Sequence, residues 1–437
     1  MKFYGREEEL RLLDEIRKIS ENGSQFTMVT GRRRIGKTAL ITKSIECTRS
    51  VYLFVSRVNQ PLLCQDMVAA VREAGIEILG NPDKVSDILR ALMLHSRSEH
   101  ITVVIDEFQD LEYVDKTIFN DIQDVWDRYK DDSSISLIVS GSVHSMMSRI
   151  FENEKEPLFG RLTSKIILRP LPIKIMEEVL RDHNLEYTSE DMLTFYMLTG
   201  GVPLYMENLM DSGAFTSGAM ISTAISARSV FLMDGKDILI SEFGKDYRTY
   251  FSIMQLISSG KERRSEMESV LGMELGPYLK RLDEEYGFIR QISPIFSKPD
   301  SRNSRWVITD MYLRFYFRFI RPGSGLIESG RYDLLRRSVE HDLPDFQGRT
   351  LENLFRRRIS EEDTYTQIGG YWNRKGDVEI DIVVLDEIDR KARLIEVKRN
   401  PQKLNMGELR RKGESIAHEL EGYDVSYEGL SLQDVRR

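Results

Sequence analysis

Five short runs of apolar residues mark the first 170 positions: "FTMVT", "VYLFV", "ITVVID", "SLIVSGS" and "KIILRPL". The stretches between them read as amphipathic helices. A strand that is apolar on both faces needs cover on both, so this alternation predicts a parallel sheet of the βαβ type with helices on each side. From 171 to about 229 the pattern turns helical and closes on "LTGGVPLYMENLM", which reads as a small helical lid. Three more helices are expected over "DYRTYFSIMQLISSG", "KERRSEMESVLG" and "ELGPYLKRLDEEYG". Two strands follow, "FIRQISPIFSK" and "SRWVITD", around a turn of Pro, Asp, Ser and Asn. Helices followed by a two-stranded hairpin predict a winged helix. The stretch "RPGSGLIESG", residues 321–330, reads as a linker by its Gly/Ser/Pro content. Beyond it, helical "LPDFQGRTLENLFRRRIS" and the strands "DVEIDIVVL" and "ARLIEVK" predict a last, small α/β domain. The expected fold class is therefore α/β, divided into a sheet core at 1–170, a helical lid at 171–235, a winged helix at 236–322 and a final domain at 323–437.

Composition narrows the class. With 437 residues, 41% hydrophobic and 30% charged, the chain can bury several cores and is not an intrinsically disordered one. Two cysteines, Cys47 and Cys64, build neither a disulfide framework nor a cysteine-based zinc site. No apolar run approaches the roughly 18 residues needed to span a bilayer, and the first ten residues are charged, so the expectation is a cytoplasmic protein without a membrane partner. A net charge of -8 argues against coating nucleic acid along the whole surface. Residues 301–337 nevertheless hold eight arginines against three acids, and the third helix of the predicted winged helix carries Lys280 and Arg281. That local excess fits a DNA-binding surface. Winged helices also serve as protein-packing modules, which leaves a protein partner or a second copy of the chain open beside DNA.

The segment "GRRRIGKT" adds chemistry. Gly31, four residues, then Gly36-Lys37-Thr38 is the phosphate-loop spacing GxxxxGK[ST], with "FTMV" as a strand before it and "TALITKSIE" as a helix after it. Such a loop works because successive backbone N–H groups, here through Ala39, surround an anion at a helix N-terminus. Lys37 is expected to reach the terminal phosphates of ATP, and Thr38 to supply a hydroxyl to Mg²⁺. The second half of the site is an acid at the end of a buried strand. In "ITVVIDEFQDL", Asp106 is expected in the Mg²⁺ shell and Glu107 as the group that orients or deprotonates the attacking water. Ser140 or Ser142, at the end of "SLIVSGS", is placed to sense the γ-phosphate. Arg161 in "PLFGRL" reads either as a finger that stabilises transition-state charge or as a structural arginine.

Together "FYGREEEL", "GRRRIGKT", "VVIDEFQDL", "PLFGRL" and "LTGGVPLYM" resemble the archaeal-type P-loop ATPases of the STAND branch, relatives of AAA+ proteins, over roughly residues 1–325. The resemblance implies that Tyr4, Gly5 and Arg6 line the adenine end of the pocket. It also implies that Gly201 and Pro203 form a GxP signature in the lid near the nucleotide. Arg32, Arg33 and Arg34 fall at loop positions that are often basic in that family, which makes them solvated or phosphate-approaching rather than catalytic.

A second site is expected near the C-terminus. Side chains two apart on a strand share a face, which pairs Glu379 with Asp381 and Glu396 with Lys398. A hairpin about "DEIDRKA" would bring Asp381 and Glu396 together as ligands for a hard cation such as Mg²⁺, with Lys398 beside them to steady a nucleophilic water or phosphorane charge. This is the D-x(n)-ExK arrangement of restriction-endonuclease-like nucleases, and the region resembles the C-terminal domain that often follows these ATPases. By that resemblance Glu352, on the preceding helix, is a further metal ligand. Two readings remain: an ATP-driven switch gating a metal-dependent nuclease on DNA, or a nucleotide-controlled DNA- or protein-binding module with a non-catalytic C-terminal scaffold.

Overall fold

The computed structural model describes residues 1–243, 247–298, 303–362 and 364–436. The chain divides into two compact units, Gly5–Pro170 and a second made of Met1–Tyr4 with Leu171–Arg437.

The first unit is built on five parallel strands: β1 (Gln25–Gly31), β2 (Ser50–Phe54), β3 (Ile101–Asp106), β4 (Ile135–Ser140) and β5 (Ser164–Leu168), in the order β2-β3-β4-β1-β5. These are the five apolar runs. β3 and β4 are buried at every position, and apart from Asp106 at the end of β3 their side chains are apolar or small and polar. Phe26, Trp126, Phe108 and Phe151 interlock beneath the sheet, with ring centroids 5.0–5.6 Å apart. Because all strands run the same way, their C-terminal ends share one edge. The register pairs Val29 with Ser140 and Ile105 with Val139, which brings the ends of β1, β3 and β4 to one level. The phosphate-type loop leaves from β1, where the connections change direction, the usual place for a ligand on an open α/β sheet.

The second unit opens with the helices Ile173–His183, Ser189–Thr199, Pro203–Asp211, Ser217–Ala224 and Val230–Phe243. The boundary expected at 235/236 thus falls inside a helix. Ser189–Thr199 is buried from Asp191 onward and starts from a capping box between Thr188 and Asp191. Helices Tyr247–Ser258, Arg264–Leu271 and Gly276–Lys280 follow, then the antiparallel pair β6 (Ile289–Ile292) and β7 (Arg305–Ile308). Asp246 and residues 299–302, which include most of the expected Pro/Asp/Ser turn, lie outside the described residues. The strands are shorter than their apolar runs because the chain beyond β6 turns to another partner: the Ile295 N–H donates to Gly370 O at 2.9 Å.

Residues 321–330 are not a linker. Ser324–Glu328 is helical, the Arg331 N–H returns to Leu326 O at 2.8 Å, and a Cβ on Gly323 would lie 2.5 Å from Leu335. The small residues are there because two helices meet closely, a demand that resembles linker composition when read along the chain alone. The helix Tyr332–Glu362 then leads into a four-stranded mixed sheet, order β11-β10-β9-β8. β8 (Gln367–Trp372), β9 (Glu379–Asp386) and β10 (Lys391–Lys398) are antiparallel, and β11 (Asp424–Ser431) runs parallel to β10 after the helix Met406–Glu414. Two of these four strands were not expected: β8 carries the glycine pair Gly369-Gly370, and β11 is polar and half-exposed at the sheet edge.

Candidate functional site

At the end of β1 the loop is shaped by three residues with positive φ: Gly31 at 147°, Arg34 at 70° and Gly36 at 90°. A Cβ at Gly31 would stand 2.7 Å from Leu168 O, so only glycine lets β1 and β5 pass. Gly36 is the N-cap of the helix Lys37–Ile45, and no side chain caps it. With no side-chain cap in place, the Thr38 and Ala39 N–H groups of the first turn are suited to an anion. The buried Arg6 guanidinium donates to Ile35 O at 3.3 Å, to Arg169 O at 2.7 Å and to Glu9 at 2.8 Å, so it props the loop from behind. Next to it in sequence, Gly5 has φ 59°. Tyr4 belongs to the other unit, where its hydroxyl donates to Asp182 at 2.9 Å. Lys37 lies across the loop, with Nζ on Gly31 O at 2.8 Å and on Arg32 O at 3.1 Å.

The acids of β3 face this loop. Asp106 Oδ2 accepts from Thr38 Oγ1 at 3.3 Å and from the Tyr52 hydroxyl of β2, while Oδ1 accepts the Glu107 N–H at 3.0 Å. Burial and the bond to Asp106 raise the Tyr52 pKa, so it stays a donor across the physiological range. Glu107 has φ 56°, a left-handed backbone unusual for a residue with a Cβ and of the kind that collects at functional sites. Its Oε2 accepts from Gln109 Nε2 at 2.6 Å, Ser142 Oγ at 2.7 Å and Ser142 N at 3.3 Å. Of the two candidate serines it is Ser142 that touches an acid. The Ser140 hydroxyl is fully buried with no hydrogen-bond partner among the described residues. Arg161 is held on the surface by Asp127 at 3.0 Å and by Phe159 O at 2.7 Å.

In the second unit Gly201 has φ 85°, and a Cβ there would lie 2.4 Å from Leu171 O. Its carbonyl accepts the Leu171 N–H at 2.8 Å, and Pro203 occupies the first turn of its helix. The "GGVP" stretch thus has a packing reason of its own. Lys280 and Arg281 are engaged by Glu284 at 3.7 Å and Glu285 at 3.1 Å on the same helical segment.

The hairpin about "DEIDRKA" is β9–β10, and one step beyond the ladder pair Ile382↔Ile395 it sets Asp381 beside Glu396. Lys398 Nζ bridges them, 2.6 Å from Glu396 Oε1 and 3.3 Å from Asp381 Oδ2, and the Val397 N–H donates to Asp381 at 2.7 Å. Burial opposes the Lys398 charge, but the two carboxylates outweigh it and raise its pKa. Burial raises the Asp381 pKa. Burial together with the Asp381 charge pushes Glu352 up to about 7. Lys412, from the helix Met406–Glu414, adds a second ammonium at 3.1 Å from Glu396. No group of three or more His, Cys, Asp or Glu suited to a metal occurs among the described residues. Of the expected trio of Glu352, Asp381 and Glu396, Asp381 and Glu396 share the Lys398 ammonium, and the Asp381 charge acts on Glu352. Sequence reasoning missed Tyr52, Gln109 and Lys412. Each reaches its acid from a separate element or a turn, and only the Gln109 position in "DEFQD" gave a local signal.

Residues 3–209 match a family described as an ATPase domain predominantly from Archaea, and residues 316–410 match one described as archaea bacterial proteins of unknown function. An uncharacterized protein of Methanocaldococcus jannaschii is 29% identical over 407 residues, 91% of this chain and 87% of that one. The Walker-type ATPase of Pyrococcus abyssi is similar in structure, with TM-score 0.55 at 18% identity, over 72% of this chain and 96% of that one. The Aeropyrum pernix ORC2 protein, in ADPNP and ADP complexes, matches with TM-score 0.46 at 16% identity, over 76% of this chain and 96% of that one. Residues 3–209 carry an ATPase domain of archaeal type. Among the described residues no helix is long and apolar enough to cross a membrane.

Proposed function

We propose that this protein is an ATP-hydrolysing switch that acts on DNA, with a winged-helix-like segment and a restriction-endonuclease-like C-terminal domain whose Asp381, Glu396 and Lys398 cleave phosphodiesters with a divalent metal. The observation that carries the DNA-cleaving part is the Lys398 bridge at 2.6 and 3.3 Å between carboxylates on adjacent strands. The order helix, three antiparallel strands, helix, parallel strand supports it.

In the nucleotide site the backbone N–H groups at the start of Lys37–Ile45 bind phosphate, and Lys37 exchanges its carbonyl partners for phosphate oxygens. Thr38 Oγ1 and Asp106 Oδ2, 3.3 Å apart, are hard oxygen donors suited to Mg²⁺. When bound, Mg²⁺ supplies charge neutralisation at the phosphates. Glu107 accepts the proton of the attacking water, and Ser142 and Gln109 hold its carboxylate while it waits. In the C-terminal site the donors are again carboxylate oxygens, and the Lys398 ammonium stands where a cation touches both. Asp381 and Glu396 would hold the metal, and Lys398 would face the phosphate undergoing attack.

Incubating the purified chain with plasmid and single-stranded DNA, with Mg²⁺ or Mn²⁺ and with or without ATP, tests this reading. Metal-dependent cleavage that changes with ATP is the expected outcome. Absence of cleavage in every condition removes the nuclease part. The second reading, a nucleotide-controlled binding module with a scaffold domain, is favoured by one observation: Glu396 already has two lysines on it, at 2.6 and 3.1 Å, and needs no metal to balance its charge.

A further inference from the structure

Within the second unit a cleft of about 720 Å³ opens between the β6–β7 hairpin and the helix Tyr332–Glu362, with β8 and β9 closing the end where Asp381 stands. Ligand-sized clefts run from about 300 to 1,000 Å³. Six arginines line it, Arg263, Arg290 and Arg305, Arg314, Arg349 and Arg356, and so do five carboxylates, Glu262, Glu266, Glu352, Glu379 and Asp381. Six arginines against five carboxylates leave the lining about neutral to slightly positive in a chain of net charge -8.

Two of the six are paired, Arg349 with Glu262 at 2.6 Å and Arg305 with Glu379 at 2.8 Å. Arg290, Arg314 and Arg356 make no ion pair among the described residues. Arg314 donates to the Met311 sulfur at 3.9 Å and lies near the Tyr196 ring and the Glu262 and Glu352 carboxylates. Arg356 donates from Nη2 to Asp381 O at 2.7 Å, while its Nε is buried without a partner. Burial pulls the pKa of both guanidinium groups down. Arg314 and Arg356 feel the nearby Glu262, Glu352 and Asp381 carboxylates without a direct ion pair, and a closer anionic ligand would offset the cost of their burial. The guanidinium fork matches phosphate oxygens in particular.

We propose that this cleft holds a single nucleic-acid strand, with phosphates on Arg290, Arg314 and Arg356 and the strand led to Asp381. What happens at Asp381 rests on the DNA-cleaving reading above; binding of the strand does not require it. A strand fits where a double helix does not, because about 720 Å³ is the volume of a ligand pocket, room for a few nucleotides of one strand and not for the body of a duplex.

Anisotropy of a labelled oligothymidylate with the full chain in EDTA, where metal-dependent cleavage is silent, tests the inference against a duplex of equal length. The strand should bind more tightly than the duplex, with log K falling against log salt at a slope of about -2, as expected of three phosphate contacts on a single strand. Arg314→Ala and Arg290→Ala should each weaken the strand roughly tenfold and flatten the slope by about 0.7, and Arg290→Lys should restore part of the loss. Arg290 is exposed on β6, so its substitution tests the cleft even if Arg314→Ala fails to fold by its melting temperature. Equal binding of strand and duplex, or indifference to both substitutions, overturns the proposal. So does displacement of the strand by polyglutamate of matched charge at matched concentration, which points to an acidic peptide. A wild type that binds with this arginine dependence yet never cleaves keeps the inference and removes the nuclease reading. Cleavage that proceeds equally in Arg290→Ala and Arg314→Ala does the reverse.

Discussion

Two pairs of carboxylates end buried strands in this molecule, and their partners differ in kind. Asp106 and Glu107 are held by the hydroxyls of Thr38, Tyr52 and Ser142 and the amide of Gln109, together with backbone N–H groups. These donors are neutral, so unlike an ammonium in contact they leave the negative charge in place for a cation. Asp381 and Glu396 are held by Lys398 and Lys412, which cancel much of that charge already. A metal at the first pair only has to rearrange hydroxyls. At the second it has to compete with an ammonium at close range in a partly dry setting, where such pairs are worth far more than on the surface.

The sharpest way to break this comparison is to remove a carboxylate from the second pair. Glu396→Ala and Asp381→Ala are expected to lower metal-dependent plasmid cleavage by roughly 10³-fold or more, since each deletes a ligand. ATP turnover should continue in both, because the nucleotide site lies in the other compact unit. Cleavage that survives equally in both variants means the activity is not this protein's. In the first pair, Glu107→Gln should keep ATP affinity and slow hydrolysis by about 10²–10⁴-fold, because an amide still fits Ser142 but accepts no proton. Unaltered single-turnover rates would move the base elsewhere.

Lys398→Ala probes the difference itself. It should cut cleavage by roughly 10²–10³-fold while metal affinity, read by calorimetry, holds or rises because the competing ammonium is gone. A fall in metal affinity would mean that Lys398 organises the carboxylates and does not compete for them. Lys37→Ala should weaken ATP binding about 10²-fold, the loss of charge-assisted bonds to the terminal phosphates. Equal affinity in a nucleotide titration would sink that role. The smallest effect is expected from Tyr52→Phe, which removes one neutral donor from Asp106. The Mg²⁺ concentration for half-maximal turnover should shift by about fivefold or less, and a larger shift would show that the two pairs are less different than their partners suggest.

The legible parts share a physical cause. The strand, loop and helix around Gly31–Thr38 are contiguous, and contiguous residues carry their own φ demands and apolar period. Asp106 and Glu107 were visible because two acids at the end of an apolar strand have few places to go. Asp381 and Glu396 were visible because a hairpin of known turn fixes its own register. The eight arginines of 301–337 were visible only as a count. The chain does not say that Arg314 lines a cleft, that Arg318 pairs with Asp342 at 3.3 Å, or that Lys280 and Arg281 spend their charge on neighbouring glutamates. The expected linker failed for a related reason, since glycine and serine serve close helix contact and chain freedom alike.

By itself the sequence determined the class of the first unit, the phosphate-binding loop, the acids at the end of β3 and the hairpin that pairs Asp381 with Glu396, all of them features whose partners lie within one motif or one turn. Tertiary structure alone decided which donors reach those acids. Tyr52 reaches Asp106 because β2 lies beside β3, and Ser142 reaches Glu107 because β4 lies on the other side. Lys412 reaches Glu396 because a helix crosses between β10 and β11. Side-chain charge travels only a few ångströms before solvent or another partner takes it, so what a carboxylate can do is set by its neighbours in space, and strand order and helix crossings assign those neighbours.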